Sequence, residues 1–249
     1  HLEVLAIPVT QSGPDLDALE RLCRSRSVRA IYSMPTLHNP LGWVMSLEQR
    51  QQLIAIARAH DLHIIEDAAY AFLVENPPPP LAELAPERTV YVSGLSKNVA
   101  AGLRVGFIAA PAQTIAALER MIRVTAWNTP GVMTSIASAW LDDGTVSRLE
   151  VQKRQDAQAR QIIADEQLAG LHSVRHPFSY FVWLPLAEDA RAEQVVTALL
   201  REQISVSTAQ PFAISTHVPH AIRLALASVE MGALRGALAK VKWVVEAYT

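Results

Sequence analysis

Hydrophobic positions in the first half of the chain recur with two periods. Val4 to Val9 is a short apolar run, closed by the turn at Gly13-Pro14, and reads as a strand. Leu16, Leu19 and Leu22 then fall at helical spacing between Asp15 and Cys23. Val28 to Met34 is rich in strand formers and stops at Pro35. Ser46-Leu-Glu-Gln sets a capping hydroxyl three residues before Gln49, so a second helix should start there. Its apolar positions Leu53, Ile54, Ile56 and Ala57 carry it to His60. Further strands are predicted at Leu62 to Ile65, Thr89 to Val92 and Val105 to Ala109. Strand alternating with helix is the rhythm of a parallel sheet with crossover helices. Unbroken apolar runs suit strands buried on both faces.

The second half has a different pattern. A helical stretch holding Ile136 to Leu141 breaks at Gly144, and a long polar-rich helix follows from about Val146 to Leu168. Tyr180 to Leu184, Ile204 to Ser207 and Ile222 to Ala227 read as strands. Helices are predicted from Ala192 to Glu202 and from Met231 to Tyr248. This is an α+β arrangement, which places a domain boundary near residue 145, giving a large domain over 1–145 and a smaller one over 146–249. No internal repeat is visible. The Pro77 to Pro80 tract can only be an extended surface loop without ladder hydrogen bonds.

Composition narrows the class. Half of the 249 residues are hydrophobic and 18% are charged, which excludes a disordered chain. Lys plus Arg number 22 against 24 Asp plus Glu, a formal net charge of −2, which argues against a dedicated nucleic-acid surface within these residues. A single cysteine, Cys23, excludes a disulfide framework and any CxxC zinc site. No apolar run approaches the ~18 residues of a membrane span, and the opening HLEVLAIPVTQSG lacks the pattern of a signal peptide. A cytoplasmic location without membrane association is the expectation.

Four polar residues follow directly on apolar strands. Asn39 lies in PTLHNPLG, Asp67 and Tyr70 in IIEDAAY, and Lys97 in YVSGLSK. Each alone has an ordinary explanation: a strand-end Asp caps the next helix, an Asn-Pro pair makes a turn, a lysine is solvated, and a tyrosine joins the core. Together and in order they point to one site, because open parallel sheets bind ligands outside the carboxyl ends of their strands. The histidines in HSVRH and HVPH have metal-like spacing, but no carboxylate or cysteine completes either set, so they read as loop residues and no metal is expected.

The succession Asn39-Pro40-Leu41-Gly42, Asp67-Ala68-Ala69-Tyr70, Ser96-Lys97 and Gly102-Leu103-Arg104-Val105-Gly106 resembles the fold-type I pyridoxal-phosphate enzymes, the aspartate aminotransferase superfamily. AIRLALAS, which holds Arg223, is similar to that family's carboxylate-binding segment. The resemblance implies a three-layer α/β large domain with a mostly parallel sheet, followed by the smaller α+β domain. It also implies pyridoxal 5′-phosphate held as an internal aldimine by Lys97, which would later shuttle the substrate's α-proton. Asp67 would face the pyridine nitrogen, Asn39 and Tyr70 the ring's phenolic oxygen, and Arg104 the phosphate. Arg223 would grip an amino acid's α-carboxylate with its planar fork.

Departures from the family pattern are also informative. Where the family has Ser or Thr three residues before the lysine, this chain has Gly94, leaving Ser93 and Ser96 as the candidate phosphate hydroxyls. The family's glycine-rich phosphate turn lies upstream of anything seen here, so the chain is expected to be roughly the last two-thirds of the fold. GLRVGFIAAP, WLDDGTVSRL, FVWLPL and ISVSTAQPFA are similar to MocR-type regulators of the GntR group, which fuse a winged-helix DNA reader to an aminotransferase-like domain. The leading expectation is therefore an effector-sensing domain, taking an amino acid or amine, homodimeric, and reaching DNA only through a segment absent from this chain. A free-standing aminotransferase is the alternative, and an oligomerisation scaffold without cofactor is a third class.

Overall fold

The computed structural model describes residues 2–188 and 190–248. They divide into two compact units. The first takes Ile7–His38 and Trp43–Lys153, and the second holds Asn39–Gly42 and the residues from Arg154 on. The division falls inside one continuous helix rather than near residue 145, because Gly144, at φ +76°, opens that helix instead of separating domains.

In the first unit, helix α1 (Leu16–Ser25) starts where the Asp15 side chain accepts from the Ala18 N–H at 2.8 Å. Strand β1 (Ala30–Ser33) and helix α2 (Leu47–Ala59) follow. The sequence-predicted capping box forms in full: the Gln49 N–H donates to Ser46 Oγ, and the Ser46 N–H to Gln49 Oε1. Next come β2 (His63–Asp67), the single turn α3 (Leu81–Leu84), β3 (Thr89–Gly94), α4 (Leu95–Asn98) and β4 (Gly106–Ala109). The sheet order is β1-β2-β3-β4, parallel except for the antiparallel β3–β4 pair. Helices α5 (Ala112–Thr125), α6 (Gly131–Asp142) and the first part of α7 (Thr145–Gln167) complete the unit.

Two expectations change here. Val4 to Val9 forms no strand: Pro8 lacks a donor, and Val9 makes only an isolated bridge to Pro14. The sheet, moreover, is covered on one face within the first unit. Leu16, Leu19, Leu53, Ile56, Ile64 and Leu81 pack α1, α2 and α3 against that face. Burial therefore alternates along β1 and β2, leaving Tyr32 and Ile65 exposed on the other face.

The second unit is built on an antiparallel sheet of order β5-β6-β8-β7. Its strands are β5 (Val174–Arg175), β6 (Phe181–Pro185), β7 (Ser207–Thr208) and β8 (Ala221–Ala225). Helices α8 (Ala192–Arg201) and α9 (Met231–Ala247) cover one face, joining Val182, Leu184, Ile222 and Leu224 to Val195, Leu199, Leu238 and Val241 in one core. The strand predicted at Ile204 to Ser207 shrinks to the two residues of β7, whose ladder starts only at Ser207. The α/β fold class with a smaller α+β part stands.

Arg50 is the one fully buried cation of the first unit's described core. Its guanidinium donates to Met45 O, Pro35 O, Pro79 O and Thr36 Oγ1 at 2.8 to 3.2 Å. It thereby ties the loop after β1 and the proline tract, two segments without ladder partners, to α2. Nearby Glu66 is 1% exposed. Burial pushes its carboxyl up, against the Ala82 and Leu81 N–H groups and the Arg50 charge. Arg50→Met should cost roughly 2–4 kcal/mol of stability, since several buried acceptors would lose their donor at once. Urea denaturation checks this, and an unchanged midpoint would show that the loops do not depend on it.

Candidate active site

The candidate residues of the first unit are gathered by strand order. β2 ends at Asp67, in parallel register with Val92 of β3. Two residues later β3 turns at Gly94 into α4, which carries Ser96 and Lys97. A short 3₁₀ turn over Ala101–Leu103 then delivers Arg104, and the chain returns antiparallel so that Gly106 faces Gly94. A cavity of about 310 Å³ lies at this sheet edge, lined by Asp67, Ala69, Ser93, Ser96, Lys97 and Arg104, with the strand backbone behind them.

Each group is held by its own local geometry. The Asp67 carboxylate accepts the Ala69 N–H on Oδ1 at 2.9 Å and the Tyr32 hydroxyl on Oδ2 at 2.6 Å. Lys97 Nζ stands 5.7 Å from the centre of the Tyr70 ring, close enough for the ring face to attract the ammonium. Arg104 has left-handed backbone (φ +52°, ψ +33°), a conformation costing on the order of 1–2 kcal/mol for a residue with a Cβ. Such strain is retained where the placement of a side chain matters.

Gly94 has a steric reason. A Cβ built there would lie 2.9 Å from Val105 O and 3.2 Å from Gly106 Cα, both backbone atoms that cannot swing aside. The hydroxyl residue common in the resembling family therefore has no room at this position. Ser93 also lines the cavity, and its hydroxyl shares a hydrogen bond with the Tyr91 phenol. Ser96 sits directly beside Lys97 on the cavity wall.

Asn39 and Arg223 belong to the second unit. The Asn39–Pro40 peptide is cis, and Asn39 Oδ1 is buried with no hydrogen-bond partner. Gly42 is required next to it: at φ +71°, an added Cβ would meet the Arg175 carbonyl carbon and His176 N at 3.1 Å. Arg223 lies on β8 opposite Trp183 and Ser207. Its guanidinium carbon is 5.0 Å from the Phe181 ring and 5.6 Å from that of Phe212, so two aromatic faces orient it.

Sequence reasoning missed Tyr32. No spacing marks it; only the adjacency of β1 and β2 shows that it reaches Asp67. His38 was likewise passed over, and it stacks on Trp43 with ring centres 3.9 Å apart. Burial lowers its pKa to about 4, so it is neutral near pH 7. Among the described residues, no group of three or more acidic, histidine or cysteine side chains could hold a metal ion, and no helix is long and apolar enough to cross a membrane.

Comparison with known proteins bears on the family and the fold. The family profile described as aminotransferase class I and II matches residues 2–241. The chain is 29% identical over 236 residues to a 2-aminoadipate transaminase of Thermus thermophilus, covering 91% of this chain and 59% of that protein. It is 25% identical over 228 residues to the uncharacterized HTH-type transcriptional regulator YdeF of Bacillus subtilis, covering 90% of this chain and 49% of that one. Among solved structures, LysN, an α-aminoadipate aminotransferase of Thermus thermophilus complexed with N-(5′-phosphopyridoxyl)-L-leucine, superposes with a TM-score of 0.90 at 26% identity. That alignment covers 98% of this chain and 65% of LysN. The chain thus spans about half the length of the curated relatives it matches. Family and fold support pyridoxal 5′-phosphate as the cofactor.

Two outcomes follow from the site's packing. Gly94→Ser should destabilise by about 1–3 kcal/mol rather than supply a phosphate donor, because β3 and β4 must move apart; urea denaturation reads the loss. His38 should titrate near pH 4 by NMR. The unfolded chain takes up that proton near pH 6.5, so the His38 contribution is complete above that value and is lost as pH falls toward 4. His38→Phe should remove that one-proton slope from the pH dependence of stability.

Proposed function

The chain belongs to the aminotransferase class I and II family, and from that premise we propose that it is the pyridoxal-phosphate-binding, effector-sensing part of a MocR-type transcriptional regulator. The observation that carries the cofactor half of this reading is the convergence of a carboxylate, an amine, a guanidinium and a hydroxyl on one cavity: Asp67, Lys97, Arg104 and Ser96. The residues fit the group part by part.

When bound, the cofactor supplies an electron sink for a substrate's amine-bearing carbon. The chain's own residues do the rest. Lys97 Nζ would hold the cofactor covalently and would take and hold a proton from the substrate's α-carbon. Asp67 presents a full negative charge to the ring nitrogen and favours its protonated form. Arg104 and Ser96 bind the phosphate. Tyr70, beside Lys97, donates to the ring's phenolic oxygen, as does the Asn39 amide. Arg223, oriented by Phe181 and Phe212, takes the amino acid's α-carboxylate through two parallel N–H bonds.

Regulation is favoured over free-standing catalysis by the HTH-type regulators among the relatives, which match this chain over 83–90% of its length while it covers 44–49% of theirs in the cases of YdeF and YisV. In this reading DNA is contacted through a segment outside these residues, the protein is a cytoplasmic homodimer, and an amino acid or amine is the signal. The 2-aminoadipate transaminase relative, 29% identical, favours a second reading, an aminotransferase moving an amino group between an amino acid and a 2-oxo acid.

Spectroscopy separates these readings. The protein with pyridoxal phosphate should show a visible absorbance that Lys97→Ala abolishes; absence of the band in the wild type would remove the cofactor assignment. Addition of an amino acid should shift the band without sustained release of 2-oxo acid, whereas multiple turnovers would establish the enzyme reading. Arg223→Ala should weaken the amino acid's effect by at least roughly tenfold, the worth of hydrogen bonds to a charged group.

A further inference from the structure

Tyr32 is 63% exposed, yet its hydroxyl is committed to one carboxylate oxygen 35 residues away. The register explains how. Tyr32 stands opposite Ile65 in the parallel β1–β2 pair, and Ile65 and Asp67 share the same sheet face two residues apart. The phenol bridges that diagonal and reaches Oδ2 at 2.6 Å, while the Ala69 N–H holds Oδ1 at 2.9 Å.

We propose that Tyr32 is a positioning residue for Asp67, a neutral donor that fixes the plane of the carboxylate toward the cofactor's ring nitrogen. This rests on the cofactor reading above. A carboxylate offers about four lone-pair sites; here one on each oxygen is taken, which removes the rotation of the group about its last bond and leaves the remaining sites open. Neutrality of the donor is essential. An arginine or lysine at this place would cancel the charge that a protonated ring nitrogen needs, whereas a phenol orients the carboxylate and leaves the charge intact. Burial, then the bond to Asp67 and its charge, push the Tyr32 phenol well above its ordinary range, so it remains a donor throughout the pH range in which proteins are folded. His63 is the other titratable group on that face of β2, and Lys97 and Arg104 line the cavity beside Asp67.

Tyr32→Phe is the test, read first as the dissociation constant of pyridoxal phosphate. It should rise about five- to tenfold, the equivalent of one hydrogen bond to a charged group lost. The pH midpoint of the bound cofactor's visible band should shift as well, while the urea midpoint stays at the wild-type value. In an Asp67→Asn background, Tyr32→Phe should have no further effect on affinity. Carbon-13 NMR of the tyrosine ring carbons in cofactor-free protein gives an independent arm: Asp67→Asn should bring the Tyr32 titration down toward the ordinary tyrosine range. Wild-type protein that shows no band overturns the cofactor reading itself. A wild type that binds, with Tyr32→Phe matching it in affinity and pH profile, overturns the positioning role and leaves the cofactor reading intact. Should Tyr32→Phe fold poorly, an unaltered Tyr32 titration in Asp67→Asn overturns the role by itself.

Discussion

The register between β2 and β3 is the constraint on which the candidate site depends. Parallel pairing of Asp67 with Val92 brings the end of one strand level with the last residues of the next. The turn at Gly94 then places Lys97 at the edge where Asp67 emerges, although thirty residues of chain separate them. A shift of one residue would turn Asp67 to the face occupied by Glu66 and exchange a solvent-facing acid for a buried one. The antiparallel return of β4 adds Arg104 to the same edge, and it requires the two backbones to approach at Gly94 more closely than a Cβ permits.

This register is supported from behind. α1, α2 and α3 cover one face of the sheet with aliphatic side chains. At the loop ends, where strand pairing stops, Arg50 replaces it with hydrogen bonds to three carbonyls and a hydroxyl. A buried cation with only neutral acceptors is costly to desolvate, and Glu66 offsets part of that cost at a distance. The second unit solves the analogous problem differently: Arg223 stays partly exposed on its central strand and is oriented by the faces of Phe181 and Phe212.

Sequence patterning reads the periodic elements well and the pairings poorly. Helix α2 was legible to its capping box, because Ser46 and Gln49 act within one turn and need no tertiary context. β2, β3 and β6 were legible as apolar runs. Val4 to Val9 has the same apolar signature but no neighbour to pair with, and α5, which buries no residue, went unmarked. The motif residues Asp67, Lys97 and Arg104 were legible as a set and come together as expected on one cavity. Tyr32 was not, since its meaning lies in a diagonal between adjacent strands; neither was the reason for Gly94, which lies in the backbone of β4.

Borohydride reduction of the protein with pyridoxal phosphate, followed by peptide mass spectrometry, tests the central claim most directly. Reduction fixes a cofactor–lysine link as a stable secondary amine. The account predicts one phosphopyridoxyl group per chain, on the peptide holding Lys97. A label absent from that peptide, or spread over Lys153, Lys240 and Lys242 at the level of random surface lysines, would contradict it.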